Sequence, residues 1–104
     1  MESREITVIN RAGKPLFCRM DGRVPGKKIP AVLVVHGFKG DSTQRHIQGI
    51  SRTLNQKWVL TLRVDLTKNP GKSYLEFSDM TYAQELSDIE DVFDDFVKKC
   101  RRLI

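Results

Sequence analysis

Runs of hydrophobic residues along the chain predict four strands. Residues 6–9 and 16–20 are short apolar or β-branched runs on either side of Gly13, which predicts an antiparallel hairpin at a sheet edge. Residues 31–35 are apolar without interruption, a pattern typical of a strand buried on both faces of a parallel sheet. Residues 58–65 are largely apolar and end on a carboxylate, and they predict the next strand.

Apolar residues at helical spacing predict two helices, over residues 43–55 and from residue 82 to the end of the chain. Each begins with a sequence close to a capping box, at residues 41–44 and 81–84. The apolar positions of the first helix are Ile47, Ile50 and Leu54. Those of the second are Tyr82, Leu86, Ile89, Phe93, Phe96, Val97 and Cys100. The acidic residues of the second helix are predicted to face solvent: Glu85, Asp88, Glu90 and Asp91.

The order hairpin, strand, helix, strand, helix predicts a single α/β domain over residues 1–104 with one βαβ crossover. Residues 67–78 have no periodicity and contain the turn sequence Asn69-Pro70-Gly71, so we predict a surface loop there. The second helix should lead into another parallel strand, and none follows in the sequence. We therefore expect an incomplete α/β domain.

Composition places the chain among soluble globular proteins. It is 39% apolar and 30% charged, without a segment that could cross a bilayer or a signal peptide, so we expect a cytoplasmic protein without a membrane partner. Cys18 and Cys100 have no neighbouring ligand at metal-binding spacing, so we predict two buried thiols and neither a metal nor a cofactor.

The net charge of +5 raises the question of nucleic-acid binding. Residues 1–60 carry a net charge of +7 and residues 61–104 carry −2. The basic residues are scattered singly, without interleaved aromatic residues or a glycine-rich basic arm. Nucleic acid is therefore not the expected partner.

Three motifs accompany this order of elements: His36-Gly37-Phe38-x-Gly40 after the apolar strand, Asp65 after the next strand, and Met80-Thr81 before an acidic helix. Together, the order and the motifs resemble the N-terminal part of an α/β-hydrolase. The resemblance is to the esterase and serine-aminopeptidase-like branch, which includes cinnamoyl esterases, and it covers about residues 5–103. It implies an antiparallel β-hairpin, two parallel strands and two helices. It also implies hydrolysis of a small acyl or ester substrate.

The resemblance assigns roles to the loop after the apolar strand. Phe38 would donate its backbone N–H to the oxyanion, because the tetrahedral intermediate concentrates negative charge on one oxygen. His36 would be a structural residue beneath this loop, and Lys39 would stand near the entrance. Gly37 and Gly40 bracket the loop, where glycine lets the backbone turn sharply.

Two departures from the family pattern concern the rest of the site. Asp65 is a strand-end turn residue, but Leu66-Thr67-Lys68 follows it where the family has Gly-x-Gly. Residues 1–104 contain neither the Gly-x-Ser-x-Gly elbow nor the acid and the histidine of the triad, which follow the elbow in the family. Neither His36 nor His46 is predicted to pair with a serine.

Two functions remain open at this level. The chain can be the N-terminal portion of a serine acyl hydrolase, inactive alone and contributing one backbone donor to the oxyanion hole. Alternatively, it is a non-catalytic module that associates with another chain. In the family, the strand over residues 31–35 pairs with the nucleophile strand, so this apolar edge is expected to be open here and to favour self-association or a complementing chain.

Overall fold

In the part of the chain that the structure describes, four strands and two α-helices follow one another in the predicted order. The structure is a computed structural model that describes residues 3–22, 30–37, 39–68 and 71–102, with side chains described up to residue 98. The elements are β1 (Ser3–Ile9), β2 (Pro15–Asp21), β3 (Ala31–Val35), α1 (Arg45–Gln56), β4 (Leu60–Val64), a 3₁₀ helix (Phe77–Asp79) and α2 (Tyr82–Arg102).

The strands form one mixed sheet in the order β1-β2-β4-β3. β1 and β2 form the predicted antiparallel hairpin, whose turn is closed by the bond from Asn10 N to Lys14 O at 2.9 Å and has Gly13 at φ +78°. β2 is antiparallel to β4, and β3 is parallel to β4. The predicted fold class is therefore confirmed: an antiparallel hairpin, two parallel strands and two helices.

The strand buried on both faces is β4 rather than β3. Every residue of β4 is buried, because β4 lies between β2 and β3. β3 has one strand neighbour among the described residues, and Val32 and Val35 remain 38% and 37% exposed. The prediction of burial from the apolar run of β3 is thus wrong for this chain, whereas the expectation of an open edge there is consistent with the sheet order.

The predicted start of β4 was also too early. Trp58 is 72% exposed and has a φ of +64°, in the turn that follows α1. Its backbone N–H donates to Asn55 O at 3.1 Å, so it belongs to the end of the helix and not to the strand.

Helix α1 begins two residues later than predicted and without a capping box. Gln44 is the N-cap and makes no side-chain capping bond. The Asp41 carboxylate instead accepts the backbone N–H of Thr43 at 2.6 Å, which favours a turn at this point. The buried residues of α1 are Ile47 and Ser51, whereas Ile50 is exposed, contrary to the predicted apolar stripe.

Helix α2 begins as predicted but packs along a different line. Thr81 Oγ1 accepts the backbone N–H of Gln84 at 3.1 Å, which confirms a side-chain cap. Among residues 82–98, the buried positions are Asp88, Val92 and Phe96, spaced by four residues. The prediction that Asp88 faces solvent is therefore wrong, as is the assignment of three exposed residues to the buried stripe: Tyr82, Leu86 and Phe93. The side chain of Cys100 lies outside the described residues.

The two faces of the sheet differ in chemistry. Residues of α2 and alternate residues of β2 and β4 share an apolar core that contains Leu16, Cys18, Met20, Leu60, Leu62, Val64, Val92 and Phe96. The intervening residues of β4, Thr61 and Arg63, contact α1 and the segment before it through hydrogen bonds to Ser51 and Ser42. The α1 side of β4 is therefore a buried polar layer.

The segment predicted to be a surface loop is largely held against the sheet. Ser73 Oγ accepts the backbone N–H of Phe17 at 2.8 Å, and Tyr74 N donates to Pro15 O at 3.2 Å. Thr67 and Leu75 are buried. The prediction was wrong because β2 supplies these hydrogen bonds from more than fifty residues away. Asn69 and Pro70 lie outside the described residues.

Candidate functional site

The candidate site lies where the parallel strands β3 and β4 end side by side. Val35 is paired with Val64, so His36 and Asp65 follow at the same edge of the sheet. Both side chains are buried. Carboxyl ends of parallel strands are where α/β folds bring ligands and loop residues together.

His36 joins the two strand ends through both ring nitrogens. Its Nε2 accepts the backbone N–H of Leu66 at 3.0 Å, and its Nδ1 lies 2.7 Å from Gly37 O. Because a backbone N–H can only donate, Nε2 carries no proton and Nδ1–H donates to the carbonyl. Both ring nitrogens of His36 are therefore engaged by backbone groups, and neither is free to act as a general base.

The segment after β3 makes a tight turn. Gly40 N donates to Gly37 O at 3.0 Å, and Lys39 between them has a φ of +59°, in the left-handed region. A Cβ on Gly40 would displace the end of the flexible Gln44 side chain and would lie 3.1 Å from Gly37 O, so the tight backbone approach favours glycine at this position. Phe38 lies outside the described residues, and its role as a backbone donor stays a prediction.

Asp65 connects the segment after β3 to the loop after β4. Its Oδ1 accepts the backbone N–H of Ser42 at 2.7 Å, and its Oδ2 accepts that of Lys72 at 3.0 Å. Its backbone carbonyl accepts the hydroxyl of Ser73. Asp65 therefore holds two loops at once, through one carboxylate and one carbonyl.

A buried ion pair beneath the site was not found from the sequence. The Arg63 guanidinium donates to the Asp21 carboxylate from Nε at 2.5 Å and from Nη2 at 3.0 Å. Its remaining nitrogen, Nη1, donates to Ser42 O at 2.6 Å. The available signal was an arginine inside an apolar strand. Its partner could not be identified, because the pairing of β2 with β4 is tertiary.

The negative charge of the buried Asp21 carboxylate is stabilised by its hydrogen-bond donors. Burial alone would raise its pKa, but hydrogen bonds from Arg63, Ser51 and Ser3 outweigh burial and hold the pKa of Asp21 below its ordinary value. The Asp21 carboxylate is thus ionised at neutral pH and pairs with Arg63. The polar layer between β4 and α1 is organised by this pair.

Lys39 and Phe77 form the outer rim of the site. Lys39 Nζ lies 5.4 Å from the centre of the Phe77 ring, within cation–π range. Lys39 is exposed and Phe77 is half-buried in the 3₁₀ helix. This contact brings the loop that follows β4 over the turn that follows β3.

Within the described parts of the chain, no serine hydroxyl is hydrogen-bonded to a histidine ring, and no group of three metal-binding side chains occurs. The same residues include no helix with the combined length and hydropathy that a membrane crossing needs. At this edge of the sheet, backbone groups are held in place by hydrogen bonds with the side chains of His36, Arg63 and Asp65.

Solved structures similar to this chain include esterases and an α/β-hydrolase. Est1E from Butyrivibrio proteoclasticus, solved with ferulic acid bound, is 36% identical with a TM-score of 0.79, over 90% of this chain and 37% of its own. GrgF from a Penicillium species is 17% identical with a TM-score of 0.76, over 92% and 32% of the two chains. An esterase from Pyrobaculum calidifontis is 19% identical with a TM-score of 0.68, over 98% and 31%. The last two show the fold alone.

This chain thus spans between 31% and 37% of the length of these three proteins. Neither a family model nor a curated protein sequence matches it.

Proposed function

Because this chain is the N-terminal portion of an α/β-hydrolase, we propose that it supplies the oxyanion side of the active site of a serine acyl hydrolase that cleaves carboxylic esters. The observation that carries the proposal is the 36% identity with Est1E over 90% of this chain, on a shared fold. The nucleophile, the acid and the general-base histidine would come from outside residues 1–104, so the chain is inactive by itself.

The backbone N–H of Phe38 is the proposed donor to the oxyanion. It follows the turn-forming Gly37 at the end of β3, where His36 and the end of β4 fix the preceding backbone. A donor fixed in advance needs no reorganisation when charge develops on the substrate oxygen, which is why such groups lower the barrier. The Phe38 side chain would line the acyl pocket, with Lys39 and Phe77 at the entrance.

An ester of an aromatic carboxylic acid is the proposed substrate class. Est1E was solved with ferulic acid bound, and this chain matches 37% of its length. The rim contact between Lys39 and Phe77 offers an aromatic face and a cation to such a substrate.

The proposal is tested in a chimera in which residues 3–102 replace the matching portion of Est1E, with methyl ferulate as substrate. Phe38→Pro removes the backbone N–H, and we expect kcat to fall about 100- to 1,000-fold. Phe38→Ala keeps the N–H and serves as the control, with a much smaller loss. Equal rates for the two variants would rule out Phe38 as the donor, and an inactive unsubstituted chimera would contradict the proposed function.

A second candidate, favoured by the open edge of β3, is a module that associates with another hydrolase portion. β3 has one strand neighbour in the described sheet, and its edge carries neither a charge nor a proline. The proposed occupant is a β-strand of a complementing chain that carries the nucleophile. Ester hydrolysis that appears only on mixing with such a chain would favour this function.

A further inference from the structure

The backbone of Ser42 is held on both sides by charged side chains at the end of β4. Its N–H donates to Asp65 Oδ1 at 2.7 Å, and its carbonyl accepts Arg63 Nη1 at 2.6 Å. The residue is fully buried. Hydrogen bonds with a charged partner are about twice as strong as neutral ones, so Ser42 is a firm anchor for the backbone around it.

The other end of the same segment is anchored at Gly37. Its carbonyl accepts both His36 Nδ1–H at 2.7 Å and Gly40 N–H at 3.0 Å. His36 is in turn tied to Leu66 N, the second residue after β4. Lys39, Gly40 and Asp41 therefore lie between two anchors that both depend on the end of β4.

Arg63 can act as an anchor because Asp21 fixes its orientation. Two of its nitrogens bind the Asp21 carboxylate, and the planar guanidinium then directs the third at Ser42. Lysine has one ammonium nitrogen and cannot occupy these positions together. Apolar residues of similar volume often replace a buried ion pair without loss of stability, so stability alone does not explain why this pair is present.

We propose that Arg63 and Asp65 are positioning residues that hold residues 39–42 against the end of β4 and thereby fix the backbone beside Phe38. The proposal deepens the proposed function and rests on it for its catalytic consequence. Its structural content, that these two side chains hold the segment in place, stands independently of any activity.

The structural content is tested by hydrogen exchange of the chain, followed by mass spectrometry of peptides that cover residues 39–44. In Arg63→Lys, we expect exchange in this segment to be about tenfold faster, because the carbonyl of Ser42 loses a charged donor. Asp65→Asn should have a similar effect, because asparagine has one side-chain oxygen to accept hydrogen bonds where aspartate has two. Exchange across α2 should change much less.

Arg19→Lys is the matched control. Arg19 lies opposite Arg63 in the sheet register and is mostly buried, but it contacts Glu5 and the Phe17 ring instead of Ser42. Arg19→Lys should leave the exchange of residues 39–44 unchanged. The proposal is overturned if Arg63→Lys has no effect on this segment, if the control has an equal effect, or if the unsubstituted segment already exchanges as an unfolded chain does.

The catalytic consequence is tested in the Est1E chimera. Arg63→Lys should lower kcat about 10- to 100-fold with little change in KM, because a displaced oxyanion donor weakens transition-state binding and leaves substrate binding intact. A rise in KM alone, or a loss that merely follows thermal stability in both arginine variants, would contradict a positioning role. An inactive chimera would count against the proposed function, while the exchange experiment would still decide the structural content.

Discussion

Asp88 shows how a single residue can connect parts of the chain that are far apart in sequence. Its buried carboxylate accepts hydrogen bonds from Asn10 Nδ2 at 2.9 Å, Tyr74 OH at 2.9 Å and Gln84 Nε2 at 3.1 Å. Asn10 also holds the hairpin turn, since its Oδ1 accepts the N–H groups of Ala12 and Lys14. The hairpin, the loop after β4 and α2 therefore meet at one carboxylate.

Tyr74 gives this network a measurable pH dependence. Burial and the hydrogen bond to Asp88 raise the pKa of Tyr74 to about 12 from its ordinary value of 10.0. Above pH 10 the unfolded chain loses the phenolic proton while the folded chain keeps it. The contribution to the free energy of unfolding is therefore complete below pH 10 and is lost as the pH rises towards 12.

Tyr74→Phe should remove this part of the alkaline loss of stability, which denaturant unfolding at a series of pH values would measure. Tyr82→Phe is the control, since Tyr82 is 78% exposed on the first turn of α2. The prediction fails if the two substitutions change the pH dependence equally.

At the scale of elements, the two sides of the sheet are stabilised by different means. α2 packs Val92 and Phe96 into an apolar core, whereas α1 and the segment before it contact a buried polar layer around Arg63 and Asp21. Burial of apolar surface stabilises the fold without fixing the orientation of any group, whereas the hydrogen bonds of the polar layer fix the orientation of the groups that they join. The candidate site lies at the end of the polar layer, where the orientation of backbone groups matters.

Two phenylalanines of α2 allow a matched test of its packing. Phe96 is 3% exposed and Phe93 is 51% exposed. Phe96→Ala should lower the free energy of unfolding by about 3–5 kcal/mol, because it leaves a cavity in the core. Phe93→Ala should cost well under half of that. Denaturant unfolding in the Est1E chimera would measure both, and equal losses would show that α2 is rotated from the orientation described.

For the whole molecule, the two edges of the sheet differ. The outer strand β1 has polar and charged residues at Ser3, Arg4, Glu5 and Thr7, which discourage pairing with another chain. The opposite edge, β3, has only apolar residues. An apolar edge strand offers unpaired backbone groups to any partner of suitable shape.

We therefore expect the 104-residue chain to self-associate through β3. Val32→Lys places a charge on this edge and should shift the sedimentation equilibrium towards the monomer. Ile9→Lys, the same kind of change on the β1 edge, should not do so. A sharp, cooperative thermal transition of a monomeric unsubstituted chain would contradict this expectation.

The sequence determined the class of fold because local patterns carry that information. The hairpin around Gly13, the strand before His36 and the capped start of α2 each depend on residues within a few positions of one another. The resemblance to an α/β-hydrolase used the same local motifs in their order. It was confirmed because Est1E and this chain share both fold and sequence over this portion.

Only the tertiary structure decided which strand is central, which face of each helix is buried and how the site is held. β4 is buried because two strands flank it, not because of its own composition. Asp21 and Arg63 are 42 residues apart, and Ser42 and Arg63 are 21 apart, so neither contact leaves a periodic signal in the sequence. Hydrophobic periodicity records which side chains avoid water, whereas buried charges are placed by partners that only the folded chain brings within hydrogen-bonding distance.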